Sequence, residues 1–474
     1  MPLKQFAPLL QFFRVNDPAR IIALIVVIVF IHLPALIDPM PITLPELRSL
    51  LIGERVLSGI WLYEGLWDST APLISWFYAA CYYLFGDAIT GFRIMGILLI
   101  LIQAVYFSVI LINSRAFNES TYVTGMVYIS LFFFSPDTIT LSPLLLSMPF
   151  LLRTLDNIFG LLAFRLQRDE TYLNTGIYLS IASLIDFSHT IFLFFTIAVL
   201  VVFGRTSARK ILLVVFGFGL PHVLMASIYF VPGKLDLLWN NFYLPNILPG
   251  LSIYIDKLSI FYLGLIPLVF LLFSTLWLSR GGRFTNYQSQ LAQVMWLWLF
   301  FGIIQIWYGA EINPQAFVIL VPPFAFLISH YFLLIRRRKI AGVVFTLFVT
   351  LLLAGNYLTR YNVFVPQSIN SLFVNEGRHA KLVKQKRILV LSNDMQQYYG
   401  AYLGSSFLEW RLAKDVFNNP NSYDAIRLVE ETLSRDLPEI IIDEQNLLAL
   451  FFERIPQLQK RYQKRGDKYY LLNS

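Results

Sequence analysis

The sequence predicts a mainly α protein: a polytopic bundle of about eleven membrane helices, then a small C-terminal α/β domain. Three observations carry this. The 474 residues are 57% hydrophobic and only 14% charged, with a mean hydropathy of +0.63. A soluble globule needs roughly a quarter charged residues, and a disordered chain lacks so many aromatics. Charge is also uneven, since residues 376–474 hold 28 Asp, Glu, Lys and Arg. The long body before them carries about one charged residue in ten, a contrast ordinary soluble domains lack.

Apolar runs lie near 21–37, 94–113, 122–134, 140–164, 172–186, 188–204, 211–231, 259–279, 291–309, 314–335 and 340–357. Several are shorter than the roughly 17 residues of a minimal span, so they draw on their flanks or thin the bilayer. Starting inside with Lys4, Arg14 and Arg20, alternation puts Arg115, Arg165, Arg168, Arg205, Arg209, Lys210, Arg280, Arg283 and Arg336–Lys339 on one face. Clustered Lys and Arg mark the cytoplasmic side. The expectation is a cytoplasmic N-terminus (1–20), a membrane domain (21–357) with outer loops 38–93 and 232–258, and a soluble outer domain (358–474).

Pro72–Phe85 is apolar over 14 residues, which suits an interfacial helix better than a span. Counting it as a span would invert every later basic cluster. The first apolar run, Ile21–Ile37, follows twenty mixed residues and lacks a clear small-residue cleavage site, so it reads as the first membrane helix. Cys81 is the one cysteine and forms no intrachain disulfide. The net charge of +8 does not argue for nucleic acid, because the basic residues sit at helix ends. No GxGxxG, P-loop, GxSxG or HExxH motif is present. The five histidines are scattered, so spacing predicts no metal and no cofactor.

The first outer loop carries the sharpest signal. Leu44–Leu57 reads as a short amphipathic helix opening at Thr43 or Pro45, with Glu46, Arg48, Glu54 and Arg55 at polar positions. Trp61, Tyr63, Trp67 and Trp76 suit a membrane interface. Solvated charges with an aromatic anchor would explain the same residues.

The order of pieces resembles the first outer loop of the GT-C glycosyltransferases, nearest the aminoarabinose-transferase and protein O-mannosyltransferase branch. Glu46 is followed by Glu54-Arg55-Val56-Leu57-Ser58-Gly59-Ile60-Trp61, then Ala71-Pro72-Leu73-Ile74-Ser75-Trp76, then Leu84-Phe85-Gly86 and Arg93. The resemblance implies a polyprenyl-phosphate-linked sugar as donor and a glycan, lipid or protein acceptor. It also implies chemistry on the outer side of a bacterial inner membrane, with a C-terminal outer domain. Glu46 would be the base, with Asp68 or Asp137 as second choices. Arg48, Arg55 and Arg93 would hold phosphate, and Tyr63 and Trp67 would line the substrate.

Three departures stand against this. Pro45 occupies the family's catalytic Asp position, Thr70-Ala71-Pro72 lacks its lysine, and Ser142-Pro143-Leu144 lacks its second acid. The rival reading is therefore an inactive GT-C-like scaffold in a cell-envelope assembly, with envelope proteins as partners. A transporter is disfavoured because no line of intramembrane charges exists beyond Arg153–Asp156 and Asp186–His189. In the C-terminal domain, strands are expected at 387–392, 439–443 and 469–472 and helices near 424–434 and from 445, with Asp394 and Asp443 as helix caps.

Overall fold

The computed structural model describes residues 9–163, 168–249, 252–253, 255–281, 284–309, 311–361, 363, 371–375 and 377–472. Arg165 and Arg283 of the basic loops lie outside these residues. Two compact units divide the chain. The first comprises Met1–Met40, Thr90–Met225 and Pro249–Ser371; the second comprises Pro41–Ile89, Ala226–Leu248 and Leu372–Ser474.

The first unit is a bundle of apolar helices, and each of the eleven apolar runs coincides with a helical segment. Among the described residues, seven are long and apolar enough to cross a membrane on their own: Ile89–Asn113, Pro143–Leu162, Ala208–Phe230, Lys257–Ser279, Asn286–Tyr308, Pro314–Leu334 and Arg338–Arg360. Ala19–Pro34, Val123–Phe134 and Phe187–Val202 are shorter apolar helices. The remaining run falls on Asp169–Ile185, whose first turn carries Asp169 and Glu170. The chain is thus a multi-pass membrane protein. Val26, Val29 and Phe30 on Ala19–Ile37 stand exposed, as do Leu272, Phe273 and Leu276 on Lys257–Gly281. Bare apolar faces of this kind suit lipid rather than water.

Inside the bundle, aromatic packing and satisfied polar groups fix the helices. Trp298 is fully buried, donates its indole N–H to the Ile319 carbonyl at 2.8 Å, and takes Phe192 edge-on at 4.8 Å between ring centres. Gln103 donates to the Leu145 carbonyl at 2.7 Å and accepts from the Tyr128 hydroxyl at 2.9 Å. Such bonds are needed because no water reaches these groups. Asp186 caps the short turn Phe187–Thr190 by accepting from Ser188 N at 3.0 Å. His189 is buried and bonded to Ser147 at 2.5 Å and to Gln305 at 3.2 Å. Arg153 and Asp156 form a part-exposed pair at 2.6 Å within one helix. These pairs are locally satisfied, which fits the structural reading of both.

Asp169–Ile185 and Ala208–Phe230 cross at two glycines. A Cβ at Gly176 would run into the Val214 carbonyl, and one at Gly217 into the Leu173 carbonyl. Small residues at such a crossing let two backbones touch where lipid offers no hydrophobic drive to associate.

In the second unit, Leu44–Leu57 packs on Pro72–Phe85. A five-stranded sheet runs in the order Tyr402–Leu403, Arg387–Val390, Ile440–Ile442, Lys468–Leu471, Tyr462–Arg465. The first three strands are parallel and the last two join antiparallel. Helices Trp410–Phe417, Tyr423–Arg435 and Leu448–Arg454 bury Ala413, Phe417, Val429, Leu433 and Phe451 in the same core as Leu389 and Ile441. The expected strands and helices all appear, with the helix anticipated from 445 beginning at Leu448. Asp443 accepts from the N–H groups of Leu447 and Leu448 at 2.9 Å each, and Asp394 accepts from Gln396 N. Both act as caps. Two short strands, at Tyr402–Leu403 and Tyr462–Arg465, were not legible: one is two residues long, and the other faces solvent on three of its four residues.

Replacing Gly176 by Val should cost about 2 kcal/mol through the forced separation of the two helices. Denaturant titration of the detergent-solubilised protein would measure it. Unchanged stability would show that the crossing relaxes freely.

Candidate functional site

In the second unit, Thr43 caps Leu44–Leu57 and is locked to Glu46. The Glu46 carboxylate accepts from Thr43 N at 2.8 Å and from the Thr43 hydroxyl at 3.1 Å, while Glu46 N donates back to that hydroxyl at 3.4 Å. This is a capping box. Pro45 lies in the first turn, where its missing N–H costs nothing. Glu46 is 2% exposed, so its carboxylate is committed to opening the helix.

Two residues further on, Arg48 reaches Asp68 with a two-pronged contact, both N–O distances 2.9 Å, and also reaches Glu409 at 3.0 Å. Asp68 is fully buried and also accepts from Thr70 N at 2.8 Å. Glu409 accepts from Ser69 N at 2.8 Å, the Ser69 hydroxyl at 2.6 Å and Arg411 Nε at 2.8 Å. Burial pushes the Glu409 carboxyl up, but Arg48, then Arg411, and the two Ser69 donors together hold it below the usual range. A backbone bridge supports the cluster: Trp67 N donates to the Ser406 carbonyl at 2.6 Å and Glu409 N to the Trp67 carbonyl at 3.0 Å. Two arginines face two carboxylates here.

The other predicted loop residues sit around this knot. Arg55 is buried, donates to the Gly65 carbonyl at 3.3 Å and pairs with Asp436. Burial lowers its guanidinium from the ordinary value, and Asp436 opposes that shift. Tyr63 is buried in left-handed backbone (φ 69°), donates to the Thr70 carbonyl at 2.7 Å and stacks on Phe242. Burial raises its phenol well above the ordinary value. Trp67 meets Phe407 edge-on at 5.3 Å. In the loop 232–258, Lys234 pairs with Glu64 at 2.5 Å and Asn246 donates to the Ser69 carbonyl at 2.9 Å; Tyr254 lies outside the described residues.

The first unit holds a separate cleft. It is lined by His32, Arg93, Asn356, Tyr357 and Arg360 together with Ile31, Met40, Phe133, Pro136 and Ile139. These come from the C-terminal ends of Ala19–Ile37 and Arg338–Arg360, the start of Ile89–Asn113, and the turns near 133–139. Arg93 is 1% exposed and donates to the Met40 carbonyl at 3.0 Å. Arg360 lies 3.6 Å from Asp38. Asn356 donates to the Phe133 carbonyl at 3.1 Å and Tyr357 to the Ile31 carbonyl at 3.4 Å. His32 uses Nδ1 on the Ile28 carbonyl at 2.8 Å and packs on Phe133; its buried Nε2 has no hydrogen-bond partner among the described residues. Gly96 lets the helix meet the Ile139 carbonyl, where a Cβ would collide, and this sets one wall.

Asp137 belongs to the turn Pro136–Ile139 whose ends line that cleft. It is 5% exposed, and its carboxylate accepts from the Ser135 hydroxyl. Its carbonyl accepts from Thr140 Oγ1 at 2.7 Å and from Gln315 Nε2 at 3.1 Å. Ser142, at the family's second acidic position, caps Pro143–Leu162 through Leu145 N at 3.2 Å. The structure therefore brings Arg48 and Asp68 together, keeps Glu46 in its capping box, and places Arg93 on the cleft and Asp137 in the turn beside it. Glu409, Arg411, His32 and Arg360 escaped sequence reasoning. No motif tied Arg360 to Arg93.

No protein-family model matches this chain, and no curated protein matches its sequence. Among solved structures it is similar to the crystal structure of ArnT from Cupriavidus metallidurans bound to undecaprenyl phosphate. The TM-score is 0.50 at 11% identity, covering 93% of this chain and 89% of that one. The likeness is one of fold: a polytopic helical body with a small C-terminal sheet.

Replacing Glu409 by Gln should cost about 3 kcal/mol, because Arg48 and Arg411 keep buried charge with one partner fewer. The depressed carboxyl stabilises the folded state fully above the unfolded-state pKa of about 4.3, and the gain is lost as pH falls through its lower folded value. Thermal melts from pH 7 to pH 3 should show a flatter acid limb in the variant.

Proposed function

We propose that this chain is a GT-C-type membrane glycosyltransferase that moves a sugar from a polyprenyl-phosphate donor to an envelope acceptor. In this reading the active face is the outer side of a bacterial cytoplasmic membrane. The observation that carries it is the cleft: two guanidiniums, Arg93 and Arg360, stand among apolar walls with Asp38 as the paired carboxylate. Guanidiniums in an apolar setting suit a phosphate on a hydrocarbon chain. The likeness to a structure holding undecaprenyl phosphate supports that ligand class.

Transfer requires a carboxylate to take the acceptor's proton and cations to receive the leaving phosphate. Asp137 is the favoured base, since Pro136 and Ile139 on either side of it line the cleft. Asp68 is already held by Arg48, and Glu46 by Thr43. Those two commitments favour a second reading, a lipid-phosphate-binding scaffold without catalysis, acting with envelope partners.

Arg93→Gln and Arg360→Gln should each weaken binding of a polyprenyl phosphate to the purified protein by about tenfold or more, since charge-assisted bonds contribute about 1.5–3 kcal/mol. Native binding unchanged in both would remove the cleft from the reading. In a deletion strain, mass spectrometry should show accumulated lipid-linked sugar and a missing glycan modification. Wild type should restore it and Asp137→Asn should not. Lipid binding with unchanged glycans and pools would select the scaffold.

A further inference from the structure

We propose that His379, Glu444 and Asp467 form a divalent-metal site in the C-terminal α/β layer. One donor atom from each lies within 4.8 Å of the other two. The fold brings them together from distant parts of the sequence. Ile440–Ile442 pairs antiparallel with Lys468–Leu471, and Asp443 N donates to the Asp467 carbonyl at 2.9 Å, so Glu444 and Asp467 share one end of the sheet. His379 stands at the start of the turn Ala380–Val383, its carbonyl accepting from Leu382 N at 2.8 Å and Val383 N at 3.1 Å.

The imidazole supplies a second and independent observation. His379 Nε2 is buried and makes no hydrogen bond among the described residues. A buried imidazole nitrogen that makes no hydrogen bond is costly and needs an explanation. It faces Asp467 Oδ2 at 3.5 Å, while Lys468 Nζ takes the other oxygen, Oδ1, at 2.9 Å. Lys468 thereby fixes the carboxylate and leaves one oxygen toward the imidazole.

One imidazole nitrogen and two carboxylates are a borderline donor set that suits Zn²⁺ and leaves positions for water. A tetrahedral ion with bonds near 2 Å holds its donors about 3.3 Å apart. Glu444 is exposed, so its side chain has room to move toward the other two donors. A bound ion would tie the segment at the start of this domain to its last hairpin.

The test is calorimetric titration of Zn²⁺ into the full chain, purified in detergent with a non-histidine tag and stripped of metal. One ion per chain is expected. Glu444→Gln changes an exposed side chain and leaves folding intact; it should weaken binding by about tenfold or more. His379→Ala should abolish the site. The thermal midpoint should rise with Zn²⁺ in the wild type and not in the variants. Absence of stoichiometric binding in the wild type, or equal binding by both variants, would overturn the proposal and leave His379 and Asp467 as an ion pair.

Discussion

A guanidinium taken out of water must meet oxygen, and this constraint organises the first loop. Arg48 is held by Asp68 and Glu409, Arg55 by Asp436 and the Gly65 carbonyl, and Arg93 by the Met40 carbonyl. Removing one partner from such a set costs several kcal/mol, because the remaining charge stays buried. The contacts of Arg48 and Arg55 join residues hundreds of positions apart. The bridge between Trp67 and Phe407 then has a fixed register, and Tyr63 is kept in a left-handed conformation that a bulky residue otherwise avoids.

The same economy governs the acids. A carboxylate that opens a helix, as Glu46 does, or neutralises a part-buried arginine, as Asp68 does, has its oxygens occupied by those partners. Those commitments separate scaffold from chemistry in this chain. Arg93, Arg360 and His32 share a wall with apolar side chains and have no buried carboxylate among the cleft-lining residues. The cleft, more than the loop knot, has the charge balance that suits an anion.

Much of the fold was legible beforehand. The apolar runs coincide with helices because a membrane helix must satisfy its own backbone and cover itself with apolar side chains, which leaves a signal in every residue. The helix Leu44–Leu57 was legible from Thr43, Pro45 and its polar spacing, and the caps at Asp394 and Asp443 from local turn chemistry. Of the site, Arg48, Asp68, Arg93 and Asp137 could be nominated because they lie near a recognisable loop. Glu409 and Arg411 could not, since a Glu-Trp-Arg run in a charged domain looks like ordinary surface. His32 and Arg360 were hidden for another reason: each lies near one end of a long apolar helix, where a polar residue reads as an interface anchor.

By itself the sequence determined where the apolar helices and three of the sheet's strands form, because those depend on periodicity and caps within a few residues. It also determined that most of the chain meets lipid. Only the tertiary structure decided which charges are partners. Arg48 lies near Asp68 in the chain, but Glu409 reaches it through the Trp67–Phe407 bridge, and Glu444 is brought to Asp467 by sheet pairing. Charge pairing acts over a few ångströms of space and carries no trace in sequence separation.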